Sequence, residues 1–189
     1  MSGKRGTIMT QLDGDIKEIL YTEEQISEKV KELGKKISED YDGKDLVMVG
    51  ILKGSIPFMA DLIRQTTIPC TMDFVAVSSY GSSTQSSGVV RILKDLDFEI
   101  ENRDVLIVED IIDSGTTLSY LIDYLKRRNP SSINISCLLN KPSRRKADIE
   151  VKYVGYEVPD YFLVGYGLDY AEKYRNLPYI GILKEEIYS

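Results

Sequence analysis

Histidine is absent from this 189-residue chain. That absence excludes Ser-His-Asp and Cys-His nucleophilic sites, histidine acid–base catalysis and every zinc site with a histidine ligand. Chemistry must come from carboxylates, lysine, arginine, tyrosine or backbone. Cysteine is scarce, with Cys70 and Cys137 far apart and no CxxC, so neither a zinc site nor a dithiol motif is present. Their apolar surroundings predict reduced core residues. No apolar run reaches the roughly 18 residues of a bilayer-spanning helix, and the N-terminus carries no signal-peptide core. The expectation is a cytoplasmic protein with no membrane partner. Positive charge is in deficit, 24 Lys+Arg against 30 Asp+Glu for a net charge of −6, which gives no support to non-specific attraction to nucleic acid or anionic lipid. A GxxxxGK[ST] loop is missing and no GxGxxG follows a strand, so the P-loop and dinucleotide-binding classes are unsupported.

What is present is a globular composition, 42% hydrophobic and 29% charged. No Pro/Gly/Ser-rich linker or low-complexity stretch divides it, so one domain over 1–189 is expected. Thr22 with Gln25 three residues on predicts a capping box, and Ile26, Val30, Leu33 and Ile37 follow at helical spacing. The near-continuous apolar run Asp45–Leu52 reads as a strand covered on both faces. Lys53-Gly54-Ser55 interrupts it, and Pro57 fits the first turn of the next helix, which carries Phe58, Leu62 and Ile63. Residues 70–79 alternate as a strand, with Met72, Phe74 and Ala76 on one side and Asp73, Val75 and Val77 on the other. The small polar stretch from Ser78 to Gly88 fits either a long hairpin loop or an active-site lid. A second buried strand, Val105–Val108, leads through a polar loop into a helix with Leu118, Leu121, Ile122 and Leu125. Lys126-Arg127-Arg128 would occupy that helix's last turn and Pro130 would stop it. Further strands are expected at Ile133–Leu139, near Phe162–Val164 and near Tyr179–Leu183. Alternating strands and helices predict an α/β fold, a mostly parallel twisted sheet flanked by helices.

The chemistry concentrates where the Val105–Val108 strand ends, in Glu109-Asp110-Ile111-Ile112-Asp113-Ser114-Gly115-Thr116-Thr117. Consecutive amides in a loop of small residues, three hydroxyls and a helix N-terminus favour a monoester phosphate. Glu109 and Asp110 would repel a bare anion, yet they suit sugar hydroxyls or a hydrated magnesium ion. A phosphorylated sugar satisfies both halves. Taken alone, the Asp113-Ser114-Gly115-Thr116 segment more often makes an ordinary helix cap; the buried strand before it tips the balance toward ligand binding.

Residues 105–118 resemble the phosphoribosyl-diphosphate motif of the type I phosphoribosyltransferases and, within them, the bacterial hypoxanthine (hypoxanthine-guanine) phosphoribosyltransferases. The similarity runs from about residue 20 to the C-terminus through Gly50–Ser55, Ser79-Tyr80-Gly81, Asn140-Lys141 and Val158–Tyr170 with Arg175. The resemblance implies the family fold, with a small hood formed by N- and C-terminal segments. It also implies transfer of phosphoribosyl from 5-phosphoribosyl-1-diphosphate to N9 of a 6-oxopurine in purine salvage. Its carried-over roles place Glu109 and Asp110 on the ribose, directly or through magnesium, and residues 113–117 (Asp113, Ser114, Gly115, Thr116, Thr117) on the 5-phosphate. Asp113 is the base facing purine N7. Lys53, Gly54 and Arg175 take pyrophosphate, Lys141 donates to O6, and Phe162 and Leu163 hold the base. Asp169 serves the purine side and a second magnesium, and Ser79 and Tyr80 form a lid. The Leu52–Lys53 peptide can be cis in this family. Small-molecule partners, no nucleic acid, and a homodimer or homotetramer complete the picture.

Without the resemblance, Lys141 reads as a solvated lysine and Phe162-Leu163-Val164 as core strand. The seven Lys/Arg between Lys126 and Lys146, with no acid among them, suggest a nucleic-acid surface only weakly, since no aromatics interleave. Eight of the 13 tyrosines lie at or beyond Tyr153, where packing or subunit contact explains them. Two rivals remain. One is a non-catalytic regulator that senses phosphoribosyl diphosphate and binds nucleic acid; the other is a transferase for adenine or a pyrimidine, which Lys141 and Phe162 oppose.

Overall fold

The computed structural model describes residues 12–79 and 90–189 and divides their strands between two sheets. In chain order the elements are β1 (Ile16–Tyr21), α1 (Glu23–Asp40), β2 (Leu46–Leu52), α2 (Ile56–Gln65), β3 (Cys70–Ser79), β4 (Val90–Lys94), β5 (Asp104–Ile112), α3 (Thr116–Lys126), β6 (Ser132–Asn140), β7 (Tyr153–Glu157), β8 (Leu163–Val164), β9 (Ile180–Leu183) and α4 (Glu185–Tyr188). The main sheet runs β4-β3-β2-β5-β6-β7, parallel throughout except for the β3–β4 pair. The two apolar runs become its centre, paired from Leu46 opposite Asp104 to Gly50 opposite Val108.

Both faces of that centre are covered. Ile26, Val30, Leu33 and Ile37 of α1 and Phe58, Met59 and Leu62 of α2 pack against Met48, Leu106 and Val108. On the other face Leu118, Leu121 and Leu125 of α3 meet Val47, Val49, Val105 and Ile107. Each fully buried Leu or Ile contributes roughly 2 kcal/mol of transfer free energy, which is why continuous apolar strands are stable only between two helical layers. The capping box forms, with Thr22 N–H donating to Gln25 Oε1 (2.9 Å) and Gln25 N–H to Thr22 Oγ1 (3.3 Å).

The second sheet, β1-β9-β8, is antiparallel and joins the N- and C-terminal segments into the hood, over Val164, Tyr174, Leu177, Tyr179 and Leu183. In the main sheet the chain passes from β2 outward to β3 on one side and resumes at β5 on the other. The carboxyl ends of β2 and β5 therefore flank the point where strand order reverses, the usual ligand crevice of an open α/β sheet.

Several expectations need correction. The helix α3 stops at Lys126, so Arg127 and Arg128 lie past its last turn. Asn129, left-handed at φ 52°, ends it before Pro130, and the Arg128 guanidinium turns to Asp95 and Tyr124. Cys137 is buried, but Cys70 at the start of β3 is only partly so; both are free thiols. Strand β8 begins one residue late, at Leu163, and β9 at Ile180. Ser79 closes β3, whereas Tyr80 and the rest of the stretch to residue 89 lie outside the described residues. Among the described residues no helix is long and apolar enough to cross a membrane.

Candidate active site

Three backbone segments meet at the switch point. The loop after β2 begins with a cis Leu52–Lys53 peptide and anchors itself by Ser55 Oγ donating to Ile51 O (2.6 Å). Gly54 lies so close to the end of β5 that a methyl group there would overlap the Asp110 carboxylate. Gly167, in the segment after β8, has φ 100° and presses on the Gly54 carbonyl, so a methyl group there would overlap that oxygen too. Side chains at these two positions would force the segments apart; glycine lets them touch.

Burial governs the acids at this junction. Burial pushes the Asp110 carboxyl up to about 6, even though Ile111 N–H donates to its Oδ1 (2.8 Å). Glu109 is raised well above the carboxylate range, first by burial and then by the Asp110 charge, and its Oε2 is buried without a partner. Such a pair is costly unless a cation or hydroxyl donors complete it. Among the described residues no three acidic or thiol side chains cluster tightly enough to hold a metal ion by themselves. A cation here would share its coordination with ligand oxygens, as magnesium commonly does.

The loop from Asp113 to Thr117 starts α3, and its helix has no side-chain cap. The N-cap is Gly115, left-handed at φ 76°. The Ser114 hydroxyl interacts with Thr116 alone, through its N–H (3.4 Å) and Oγ1 (3.3 Å). No N-cap side chain closes the helix start, so the capping reading of this segment is overturned, and beyond Thr116 N–H the first-turn amides stay available to an anion.

Beside this loop opens a cleft of about 500 Å³ lined by Asp110, Asp113, Lys141, Phe162, Leu163 and Asp169 of the expected site, and also by Arg144, Asp160 and Tyr188. Lys141 is 7% exposed, and its ammonium donates to Tyr161 O (2.7 Å) with Asp160 Oδ1 at 3.5 Å. It is not the solvated lysine of the default reading. Phe162 is stacked on Tyr188 (ring centroids 4.7 Å apart) and meets Tyr170 edge-on, while Leu163 is buried. Arg144 bridges Asp113 Oδ1 (3.0 Å) and Asp160 (3.2 Å), and Arg145 Nε donates to Asp113 O (3.3 Å). Two of the seven residues of the basic run, Lys141 and Arg144, thus line the cleft.

Glu109, Lys53, Gly54 and Arg175 lie outside the cleft lining. Lys53 pairs with Glu172 (3.0 Å), and Arg175 donates to Gly167 O (2.7 Å) and pairs with Asp169 (2.8 Å), leaving its Nε buried without a partner. Arg144, Asp160, Glu172 and Tyr188 went unread in sequence; the only signal for Arg144 was its place just after a buried strand's carboxyl end.

A model of the phosphoribosyl transferase domain matches residues 17–171. The hypoxanthine-guanine phosphoribosyltransferase of Bacillus subtilis is 58% identical over 92% of this chain and 97% of its own length. The bifunctional protein TilS/HprT of Listeria monocytogenes is 54% identical over 94% of this chain, which spans 28% of that protein. A crystal structure of a hypoxanthine phosphoribosyltransferase from Staphylococcus aureus superposes with a TM-score of 0.93 at 55% identity, covering 96% of this chain and 99% of that one.

Proposed function

The chain belongs to the phosphoribosyltransferase family, and on that premise we propose how its cleft works in purine salvage. It is an enzyme that transfers phosphoribosyl from 5-phosphoribosyl-1-diphosphate to N9 of hypoxanthine or guanine, releasing pyrophosphate and forming IMP or GMP. The observation that carries the assignment of roles is a buried ammonium, Lys141, facing the same cleft as Asp113 and Phe162.

The amides and hydroxyls of residues 113–117 hold the 5-phosphate at the start of α3. The purine lies along Phe162 and Leu163, with its O6 toward Lys141. Lys141 then replaces part of its contact with Tyr161 O by one to the base. A 6-oxopurine presents an acceptor there; adenine presents a donor amine that an ammonium cannot satisfy. Asp113 moves off Arg144 to accept hydrogen from N7, which raises electron density on the attacking nitrogen as positive charge grows at C1 of the ribose. Lys53, the Gly54 amide and Arg175 hold the pyrophosphate as it departs.

Glu109, Asp110 and Asp169 would hold magnesium; the raised carboxyls at 109 and 110, and the unpartnered Oε2 of Glu109, fit a hard cation. When bound, magnesium neutralises charge on the diphosphate and orients it. Ser79 and Tyr80 are assigned the lid that excludes water. One domain over 1–189, a cytoplasmic location and assembly as a homodimer or homotetramer belong to the same reading.

Lys141→Ala tests the base assignment. Loss of a charge-assisted hydrogen bond, roughly 1.5–3 kcal/mol, should raise the KM for hypoxanthine about 10- to 100-fold and leave that for phosphoribosyl diphosphate near its starting value. Unchanged discrimination against adenine would refute the role.

A further inference from the structure

Between β8 and β9 the chain doubles back on itself. Tyr170 and Lys173 form a short antiparallel bridge, and Ala171, Glu172 and Tyr174 all take left-handed backbone, at φ 50°, 63° and 75°. None is glycine, so the conformation is held by its surroundings and not by local preference. One restraint is visible, since Glu172 N–H donates to Asp169 Oδ2 (2.9 Å). The result is that the Glu172 carboxylate reaches two cations at once. Its Oε2 lies 3.0 Å from Lys53 Nζ, across 119 positions of sequence, and its Oε1 lies 3.4 Å from Arg175 Nη2.

Those cations are the two assigned to the departing pyrophosphate, and the role of Glu172 rests on that assignment. A carboxylate offers two oxygens spaced much as two oxygens of one phosphoryl group. Arg175 retains a buried Nε–H with no acceptor beside the ion pair, so a larger anion would find a further donor there that Glu172 leaves unused.

We propose that Glu172 is a built-in competitor for pyrophosphate, bridging Lys53 and Arg175 when the site is free and yielding them to the diphosphate of the substrate. It thereby sets the enzyme's affinity for phosphoribosyl diphosphate and for pyrophosphate, and its return to the two cations favours product release. The effect is bounded by exposure. The Lys53 and Glu172 side chains are 63% and 65% exposed, so their attraction is solvent-screened and the competition amounts to about two- to fivefold in affinity.

The test is inhibition of the forward reaction by inorganic pyrophosphate, with magnesium present, in wild type and in Glu172→Gln and Glu172→Ala. Both variants should lower the pyrophosphate inhibition constant and the KM for phosphoribosyl diphosphate about two- to fivefold, the alanine variant at least as much as the glutamine one, with the KM for hypoxanthine unchanged. An unchanged or raised pyrophosphate inhibition constant in both variants overturns the proposal. Lys53→Ala separates the two layers. If it weakens pyrophosphate while the Glu172 variants fail to tighten it, the competitor role alone falls. If it has no effect, the pyrophosphate assignment of Lys53 falls and takes the competitor role with it.

Discussion

Asp113→Asn is expected to lower turnover by about 10²- to 10⁴-fold while changing phosphoribosyl-diphosphate affinity less than tenfold. Asparagine matches aspartate in shape, so the loop that starts α3 keeps its backbone, including the left-handed Gly115 and the Ser114 contacts to Thr116. The phosphate-binding amides are untouched. What is lost is an anion able to take hydrogen from N7 of the base, a task that falls to a carboxylate in a chain with no histidine. The ion pair with Arg144 (3.0 Å) is lost as well, but Arg144 keeps its contacts with Asp160 (3.2 and 3.3 Å) and stays at the rim of the cleft. Measuring kcat beside the KM and dissociation constant for phosphoribosyl diphosphate checks the split. Equal losses in turnover and binding would assign Asp113 to substrate holding alone.

Gly54→Ala is the second large effect, and it acts through space. The added methyl would overlap the Asp110 carboxylate, which its hydrogen bond from Ile111 N–H fixes in place. Relief on the other side is closed by Gly167, whose backbone already packs on the Gly54 carbonyl. Either Asp110 leaves the position assigned to ribose and magnesium, or the loop after β2 lifts and carries the Gly54 amide away from the pyrophosphate. Overpacking of this kind costs about 1–3 kcal/mol, which corresponds to a KM for phosphoribosyl diphosphate raised about 10- to 100-fold and a melting temperature lowered by roughly 2–10 °C. Hypoxanthine binding, across the cleft at Lys141 and Phe162, should change little. A variant with wild-type KM and melting temperature would show that the three segments do not meet as described.

The parts of the fold that were legible are those where one physical demand dominates. Leu46–Leu52 and Val105–Val108 are apolar without interruption because two helical layers cover them, and they pair in parallel at the sheet's centre as that pattern predicts. Thr22 and Gln25 announce α1 by a local hydrogen-bond pattern that needs no tertiary context. Strands β1 and β7 gave no such signal. Each lies at a sheet edge and mixes burial along its length, so their residues show neither a continuous apolar run nor clean alternation. The site divides the same way. Asp110 lies near the carboxyl end of a buried strand, which runs on to Ile112, and Asp113 and Gly115 follow it and lead into a helix, which is local information. Glu172 reaches Lys53 only through a left-handed turn built from non-glycine residues, and Arg144 looked like one more charge in a basic run. Lys53 lies 119 positions from Glu172, and Asp113 and Asp160 lie on segments other than that of Arg144, where no spacing rule reaches.

The most direct test is nucleotide formation from phosphoribosyl diphosphate and magnesium, with hypoxanthine, guanine, xanthine and adenine supplied separately. Turnover of hypoxanthine and guanine without turnover of adenine is the predicted result, with xanthine defining the breadth of the site at the C2 edge. Turnover of adenine would contradict the role of Lys141, and no turnover of any base by protein that still binds phosphoribosyl diphosphate would contradict the enzyme itself.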